Sequence, residues 1–551
     1  MKPSDSTDLL LRLEELNGIG ISLSLQKDTP RLLEAILVAA KKITNADGGT
    51  LYSVDLEEKT ARFEILRTDS LGIALGGTTG AEIPFPPVRL YNSSGKPNNT
   101  TVVAYSVLHD ETVNIADAYA ADGFDVSGTK SFDRKTGYRS QSFLTVPMKN
   151  HENDIIGVLQ LINAKDRNTG AIVPFSEADQ QLAESLASQA AVALTNRQLI
   201  DQLENLFESF IGLINAAIDD KSAYTWGHCQ RVPALTMMLA QAADEETEGA
   251  LADFSMSDKD RYELKIAGLL HDCGKVTTPV HVVDKSTKLE TIFDRIDLLD
   301  TRFEIVRRDA EISMLRSKLA DPDNRNGGWR QAEQEYELRR RCIDEDRAFL
   351  RFANIGSENM RAEDQDRVRQ ISKAYRWRDP SGNDCDFLTQ DELNNLTIRS
   401  GTLTSDERQI INRHIDVTIT MLESLPWPSH LRNVPEYAGG HHERMDGKGY
   451  PRGLTRDQMS VQARVMAIAD IFEALTARDR PYKKGKALSE SLRILGNFRL
   501  NGHIDPDLFD IFIKRKVYAR YAERFLDPDQ QDEVDVTLIP GVSSRVTNFV
   551  N

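Results

Sequence analysis

Histidine is scarce in this chain, ten among 551 residues, yet His441 and His442 stand side by side in HHERMDGKGYPRG, and far upstream His271 and Asp272 stand together in LLHDCGKVTTP. Neutral imidazole nitrogen and carboxylate oxygen are the ligands that suit borderline ions such as iron, manganese or zinc. Packing is a poor account of adjacent histidines beside a glycine-rich turn. The two strings therefore point to a single metal-dependent site, which the fold has to assemble from distant parts of the chain.

The length exceeds one hydrophobic core, and at roughly 100–200 residues per unit it predicts three or four compact units. With 40% hydrophobic and 28% charged residues the composition is that of a soluble globular protein, and no apolar run approaches the roughly 20 residues needed to span a bilayer. The N-terminal MKPSDSTDLLLRLEELNG interleaves acids with leucines and reads as an amphipathic helix, not a signal peptide, so a cytoplasmic location is expected. Cys229, Cys273, Cys342 and Cys385 lack CxxC pairing and are expected to be reduced thiols, Cys273 as a small buried residue. A net charge of −17 opposes binding to duplex nucleic acid but leaves room for a small anionic ligand in one locally basic or metal-containing pocket.

Residues 8–196 alternate helix, strands and helix, predicting an α/β or α+β sensory domain. TPRLLEAILVAAKKITNA has helical spacing, and GGTLYSVDLEEKTARFEIL and SFLTVPMKNHENDIIGVLQLINAKD read as strand pairs. A helix capped by Ser176 and Asp179 then closes the unit. On TGYRSQSFLTVPMKN, IIGVLQLINAKD and FSEADQ the stretch resembles a GAF domain. Asn163, Lys165, Phe175 and Asp179 are similar to the signature of cyclic-nucleotide-binding GAF domains, although Ala164 splits the first pair and Gln180 replaces the final acid. The resemblance implies a small-molecule effector, with Asn114, Asp117, Phe124, Phe132, Asn163, Lys165 and Asp179 as candidate ligand residues; the alternative is that they only stabilise the fold.

From 182 to 215 the helix continues with a seven-residue repeat, Leu186, Ala193, Ile200, Phe207 and Ile214, flanked by Leu182, Leu203 and Phe210. This predicts a coiled-coil linker and a parallel homodimer, the alternative being a helix packed on its own domains. Residues 290–400 are charged, glycine-poor and helical in period around the breaker DPDNRNGG, predicting an inserted helical hairpin with solvated faces or an interaction surface. Residues 521–551 form a C-terminal extension.

Segments 205–285 and 401–520 read as helices with polar clusters near their ends: His228, His271 and Asp272, His414, His441 and His442, and Asp470 within an otherwise apolar run. A carboxylate so placed is costly to bury unless paired or bound to a metal. With HDCGK and Gly449-Tyr450-Pro451, these segments resemble an HD-GYP domain of the HD phosphohydrolase superfamily. The resemblance implies an all-helical domain with a cluster of iron or manganese ions that hydrolyses cyclic di-GMP to pGpG and on to GMP. His228, His271, Asp272 and Asp470 would hold one ion, and Asp272 would bridge to a second held by His414, His441 and His442. Tyr224 stands where three-metal members often carry Glu, so two ions are expected. Asp272 and Lys275 are the candidate catalytic residues, and Arg444, Lys448, Tyr450, Arg480, Tyr482 and Lys483 are candidate contacts to substrate. The alternatives are hydrolysis of 3′,3′-cyclic GMP-AMP, a weakly catalytic effector that binds a cyclic dinucleotide, and a mononucleotide phosphohydrolase.

Overall fold

The computed structural model describes residues 3–26, 28–221, 227–320, 322–324, 327–357, 359–478, 485–543 and 546. The chain divides into two compact units, Met1–Glu208 and Ser209–Asn551. Among the described residues no helix is long and apolar enough to cross a membrane.

In the first unit, α1 (Pro3–Ser24) and α2 (Thr29–Thr44) lead into an antiparallel sheet. Asp28 caps α2 by accepting the Arg31 N–H at 3.3 Å, Pro30 suits the first turn, and Asn45, at φ 53°, ends the helix. The strands are β1 (Ala46–Asp55), β2 (Thr60–Thr68), β3 (Ile73–Gly76), β4 (Val88–Arg89), β5 (Val113–Ile115), β6 (Phe143–Lys149), β7 (Ile155–Lys165) and β8 (Ile172–Val173). The main order is β3-β2-β1-β7-β6-β5, with β4 beside β2 and β8 beside β7. One apolar core, including Leu37, Leu51, Leu159, Leu161 and Leu186, joins the sheet to α1, α2 and the start of a long helix. A smaller cluster, Tyr52, Val103, Ala104 and Val158, involves α3 (Val102–His109), and α4 (Ser127–Thr136) completes the unit.

The long helix α5 (Glu177–Lys221) has 45 residues. Leu182 and Leu186 belong to the first unit's core and Ala193 packs against it, so the N-terminal part of the expected coiled-coil seam is taken up by packing within the chain. Further along, Leu199, Ile200, Leu203, Leu206, Phe210, Leu213 and Ile214 are exposed.

The second unit contains α6 (His228–Asp244), α7 (Asp258–Leu270), α8 (Val280–Val283), α9 (Ile296–Ala320), α10 (Gly328–Asn354), α11 (Ala362–Ala374), a hairpin of β9 (Arg376–Arg378) and β10 (Asp384–Asp386), and then α12 (Gln390–Leu396), α13 (Ser405–Asn412), α14 (His414–Glu423), α15 (Val434–Gly439), α16 (Val461–Thr476), α17 (Leu488–Leu500), α18 (Pro506–Lys514) and α19 (Val517–Phe525).

The segment expected to be a solvated hairpin is more than that. Helices α9 and α10 are joined by α11, the β-hairpin and α12 around a separate core with Leu299, Phe303, Leu350, Val368, Tyr375 and Phe387. Its two ends meet at its base. Bridges pair Thr287 with Ile355 and Ser357 with Gly401, Thr402 Oγ1 donates to Lys285 O at 2.9 Å, and Lys285 Nζ donates to Asn395 at 2.7 Å and Glu407 at 2.8 Å. Joined ends let a long insertion leave the flanking helices in register at small entropic cost.

Candidate metal centre

Helix α7 starts in a capping box, the Ser257 hydroxyl accepting from Asp260 N–H and the Asp260 carboxylate from Ser257 N–H, and ends at His271. Asp272 follows as the chain tightens into the short 3-10 turn Cys273–Thr277. That turn docks on α14, where Gly274 N donates to Thr418 Oγ1 at 2.9 Å. A Cβ at Gly274 would lie 2.1 Å from His414 O, so only glycine lets the two backbones approach this closely. His228 opens α6, His414 opens α14, Asp470 lies in α16, and His441 and His442 follow α15.

These residues converge on Asp272. Its Oδ2 lies 3.1 Å from His228 Nε2 and 3.3 Å from His271 Nε2, while its Oδ1 lies 3.3 Å from His414 Nε2. Asp470 Oδ1 is 3.3 Å from His228 Nε2 and 3.9 Å from His271 Nε2. Two clusters of donor atoms result, His228 with His271 and Asp272, and His414 with His441 and His442, each drawn within 4.8 Å.

The far side of four rings is tied down. His271 Nδ1 faces Gly268 O at 2.7 Å, His414 Nδ1 faces Ile411 O at 2.5 Å, His441 Nδ1 faces Ala438 O at 2.6 Å, and His228 Nδ1 faces Glu473 Oε2 at 2.5 Å. On a neutral ring, an Nδ1–H donated outward leaves the inward Nε2 as a lone pair, the usual orientation of histidines that ligate metals. His228 and His271 present theirs 3.3 Å apart, and His414 lies 3.2 Å from His442 across the same kind of gap. Asp272 Oδ1 and His441 Nε2 are buried without a hydrogen-bond partner among the described residues. Converging nitrogen and oxygen acceptors, two of them without a donor, fit divalent cations.

The electrostatics agree. Burial raises the Asp272 pKa, but Lys275, His271 and His228 outweigh it and hold the carboxyl well below its usual value. Burial likewise opposes ionisation of Asp470, yet His228, His441 and His442 keep it charged. Burial and the neighbouring His271 lower His441 to about 4, and His442 also falls well below normal, so both rings are neutral. Burial disfavours a charge on His228, but Glu473, Asp272 and Asp470 together raise its pKa well above the ordinary value, so this ring, unlike His441 and His442, holds a second proton that a metal ion at Nε2 would displace.

Of the other sequence-predicted residues, Lys275 Nζ sits 2.5 Å from Asp272 Oδ2. Tyr450 stacks on His442 with centroids 4.8 Å apart and an interplanar angle of 21°. Arg444 makes a fork on Asp446, at 3.0 and 2.8 Å, and Lys448 Nζ lies 3.7 Å from the same carboxylate. All three line a cavity of about 480 Å³ whose wall includes His442 and Asp470. Tyr224, Arg480, Tyr482 and Lys483 lie outside the described residues.

The sequence reading missed three supporting groups. Glu473 is buried, joins His228 to Arg231 Nε at 2.7 Å, and follows Asp470 by one helical turn, a spacing that could have revealed it. Buried Glu443 accepts from Arg452 N at 2.7 Å and Leu454 N at 2.9 Å, pinning the Gly-Tyr-Pro loop. His503 lines the cavity from a segment with no ligand-like pattern.

The candidate effector residues of the first unit are placed differently from the expectation. Asn163 is buried in β7, its Oδ1 accepting from Gln141 N at 2.7 Å and its Nδ2 donating to Arg139 O at 2.8 Å. Lys165 pairs with Asp47, and Asp179 with Arg12 while capping α5 through Ser176. Asn114 bonds Phe175 O and Gln180, Asp117 pairs with Arg139 at 3.0 Å, and Phe124 meets Tyr105 edge-on. A cavity of about 540 Å³ is instead lined by other side chains, among them Tyr52, Phe63, Phe85, Phe132, Tyr138 and Gln160. Of the residues named from the sequence, Phe132 reaches it. The others are committed to holding strands and turns together.

The GAF domain family matches residues 28–194, and two HD domain families match residues 225–348 and 390–508. A cyclic di-GMP phosphodiesterase of Pseudomonas aeruginosa is 40% identical over 116 residues, 21% of this chain and 27% of the relative. A 3′3′-cGAMP-specific phosphodiesterase of Vibrio cholerae is 37% identical over 116 residues, 21% of this chain and 26% of the relative. A cyclic di-GMP phosphodiesterase of Thermotoga maritima is 35% identical over 120 residues, 22% of this chain and 32% of the relative. The matched stretch spans about a quarter to a third of each relative's length. The chain thus carries a GAF domain followed by HD-domain sequence, and the two clusters of metal-ligand type lie within the HD part.

Proposed function

We propose that this protein is a metal-dependent phosphodiesterase that hydrolyses cyclic di-GMP to pGpG and on to GMP, under the control of its GAF domain. The observation that carries this reading is the division of Asp272, one oxygen toward His228 and His271 and the other toward His414. Such a carboxylate suits two neighbouring ions, and a pure receptor has no chemical need of it. His228, His271, Asp272 and Asp470 would hold one ion, and Asp272, His414, His441 and His442 the other, with iron or manganese favoured. The chemistry that such a pair supplies when bound is polarisation of the phosphodiester and activation of water near neutral pH. Lys275, seated on Asp272, keeps that carboxylate ionised and is assigned the proton for the departing alkoxide as the P–O bond breaks. Tyr450, stacked on His442, shapes the entry. Lys448 brings positive charge toward the phosphates, and Arg444 acts through Asp446 to hold the loop. Arg480, Tyr482 and Lys483 are assigned phosphate contacts on the family resemblance.

The exposed stripe Leu199, Leu203, Leu206, Phe210 and Leu213 on α5 supports a parallel homodimer, shifted toward the C-terminus from the seam first read in the repeat. The aromatic cavity of the first unit is assigned to a small-molecule effector, and a cytoplasmic location fits the proposed substrate. A second reading, hydrolysis of 3′,3′-cyclic GMP-AMP, is favoured by the near-equal identity to relatives named for each nucleotide. Product chromatography with metal-loaded protein on both nucleotides tests the assignment. Release of pGpG and GMP with the higher kcat/KM on cyclic di-GMP is expected; a higher value on the mixed dinucleotide transfers the function to it. Absence of any product, with signalling intact in Asp272→Ala, leaves a binding effector.

A further inference from the structure

The cavity beside the metal centre is lined by two chemically distinct sets of side chains. His442 and Asp470 are two of them, and the lining also includes Phe498 and His503, which belong to neither the metal cage nor the Gly-Tyr-Pro string. The Phe498 and His503 rings lie 4.8 Å apart with an interplanar angle of 35°, and both are only partly buried, although Phe498 sits on a helix whose neighbours Leu492 and Leu495 are in the core. The pair is built into the site and does not hang from it. His503 N donates to Phe498 O at 2.9 Å, closing α17, and Asp446 N donates to Gly502 O at 3.1 Å. Arg444, while gripping Asp446, also donates to Asn501 O at 3.2 Å. Gly502, at φ 64°, would bring a Cβ within 3.2 Å of Asp446 Cβ, so the turn carrying His503 rests directly on the loop that carries Tyr450. Burial, with the Arg444 guanidinium nearby, lowers the His503 pKa, so the ring it offers is neutral. Two partly exposed, fixed rings in a cavity of about 480 Å³ form a surface on which a flat heterocycle can stack.

Resting on the phosphodiesterase reading, we infer that Phe498 and His503 are a platform that stacks a purine base of the cyclic dinucleotide and so positions its phosphodiester at the metal centre. Phosphate chemistry at His442 and Asp470 and base recognition at Phe498 and His503 then occupy one cavity. The platform acts on binding and position, not on bond cleavage.

The test compares wild type with Phe498→Leu, Phe498→Tyr and His503→Ala in the full-length protein, with melting temperatures measured alongside. Two readouts are used: steady-state kinetics on cyclic di-GMP, and quenching of a 2-aminopurine-substituted cyclic dinucleotide titrated in chelator to stop turnover. Phe498→Leu and His503→Ala are expected to raise KM roughly 5- to 150-fold while kcat changes little, and to abolish quenching. Phe498→Tyr, which keeps a ring, is expected to restore both. Unchanged KM and quenching in the Leu and Ala variants, or a loss confined to kcat, overturns the platform. Quenching by a wild type that hydrolyses neither dinucleotide overturns the phosphodiesterase reading and leaves the platform standing.

Discussion

At the scale of single residues the centre depends on what stands behind its ligands. Glu473 holds the outward nitrogen of His228, and Arg231 in turn holds Glu473, so the imidazole is fixed in tautomer and direction before any ion arrives. Glu473→Gln keeps the shape but removes the charge. It is expected to lower metal affinity and activity by about 10–100-fold with an unchanged circular dichroism spectrum, as read by metal analysis after dialysis. Asp272→Asn leaves a side chain of the same size with only one good acceptor. It should lose more activity than Glu473→Gln and retain at most half the wild-type metal content; full retention would remove the bridging role.

At the scale of elements, the cage depends on how closely the Cys273–Thr277 turn approaches α14. Gly274→Ala places a methyl group 2.1 Å from His414 O and 2.6 Å from Thr418 N, both backbone atoms that cannot swing aside. The expected cost is about 3 kcal/mol or more, measured by denaturant unfolding, with His414 displaced from Asp272. The insertion has its own weak point. Lys288 is buried, its Nζ donating to Ile398 O at 2.8 Å and Leu396 O at 3.3 Å beside the Met360 sulfur, with no carboxylate in reach among the described residues, and burial lowers its pKa to about 8. Between about pH 8 and 10.5 the unfolded chain still binds a proton that the folded chain has released, so stability rises with pH across that window. The carbonyl contacts offset part of the effect, leaving a gain on the order of 1–3 kcal/mol. Lys288→Met should flatten the slope, and identical pH dependence in wild type and variant would contradict it.

At the scale of the whole molecule, α5 contributes buried side chains to each unit, Leu186 in the first and Ile211 and Ile218 in the second, while leaving an apolar stripe uncovered. Exposed leucines at seven-residue intervals are unusual on a lone helix and match a partner with the same repeat. Leu203→Glu combined with Phe210→Glu is expected to convert a dimer into monomer in sedimentation velocity, without lowering the melting temperature of either unit. A wild type that sediments as monomer at micromolar concentration would remove the seam.

How much of this was legible depended on whether the signal was local. Residue type and pairing drew attention to His271 with Asp272, His441 with His442, and Asp470 in its apolar run, because a buried carboxylate and paired imidazoles carry a high desolvation cost wherever they occur, and the HD-GYP resemblance added His228 and His414 to the set. Helical and alternating periods likewise outlined a sheet domain followed by a helical one, since each is written in neighbouring residues. Spacing could put Glu473 on the Asp470 face of its helix, but it could not say that its partner is His228, which oxygen of Asp272 faces which histidines, or that Asn163, Lys165 and Asp179 are committed to structural bonds. Nor could it show that Leu182 and Leu186 would be covered by their own domain, moving the uncovered stripe toward Leu199 and Leu213. The sequence by itself determined the kinds of atoms available and the periods of the elements. Only the tertiary structure decided which of those atoms face one another, because pairing, burial and the direction of a side chain are set by residues far away along the chain.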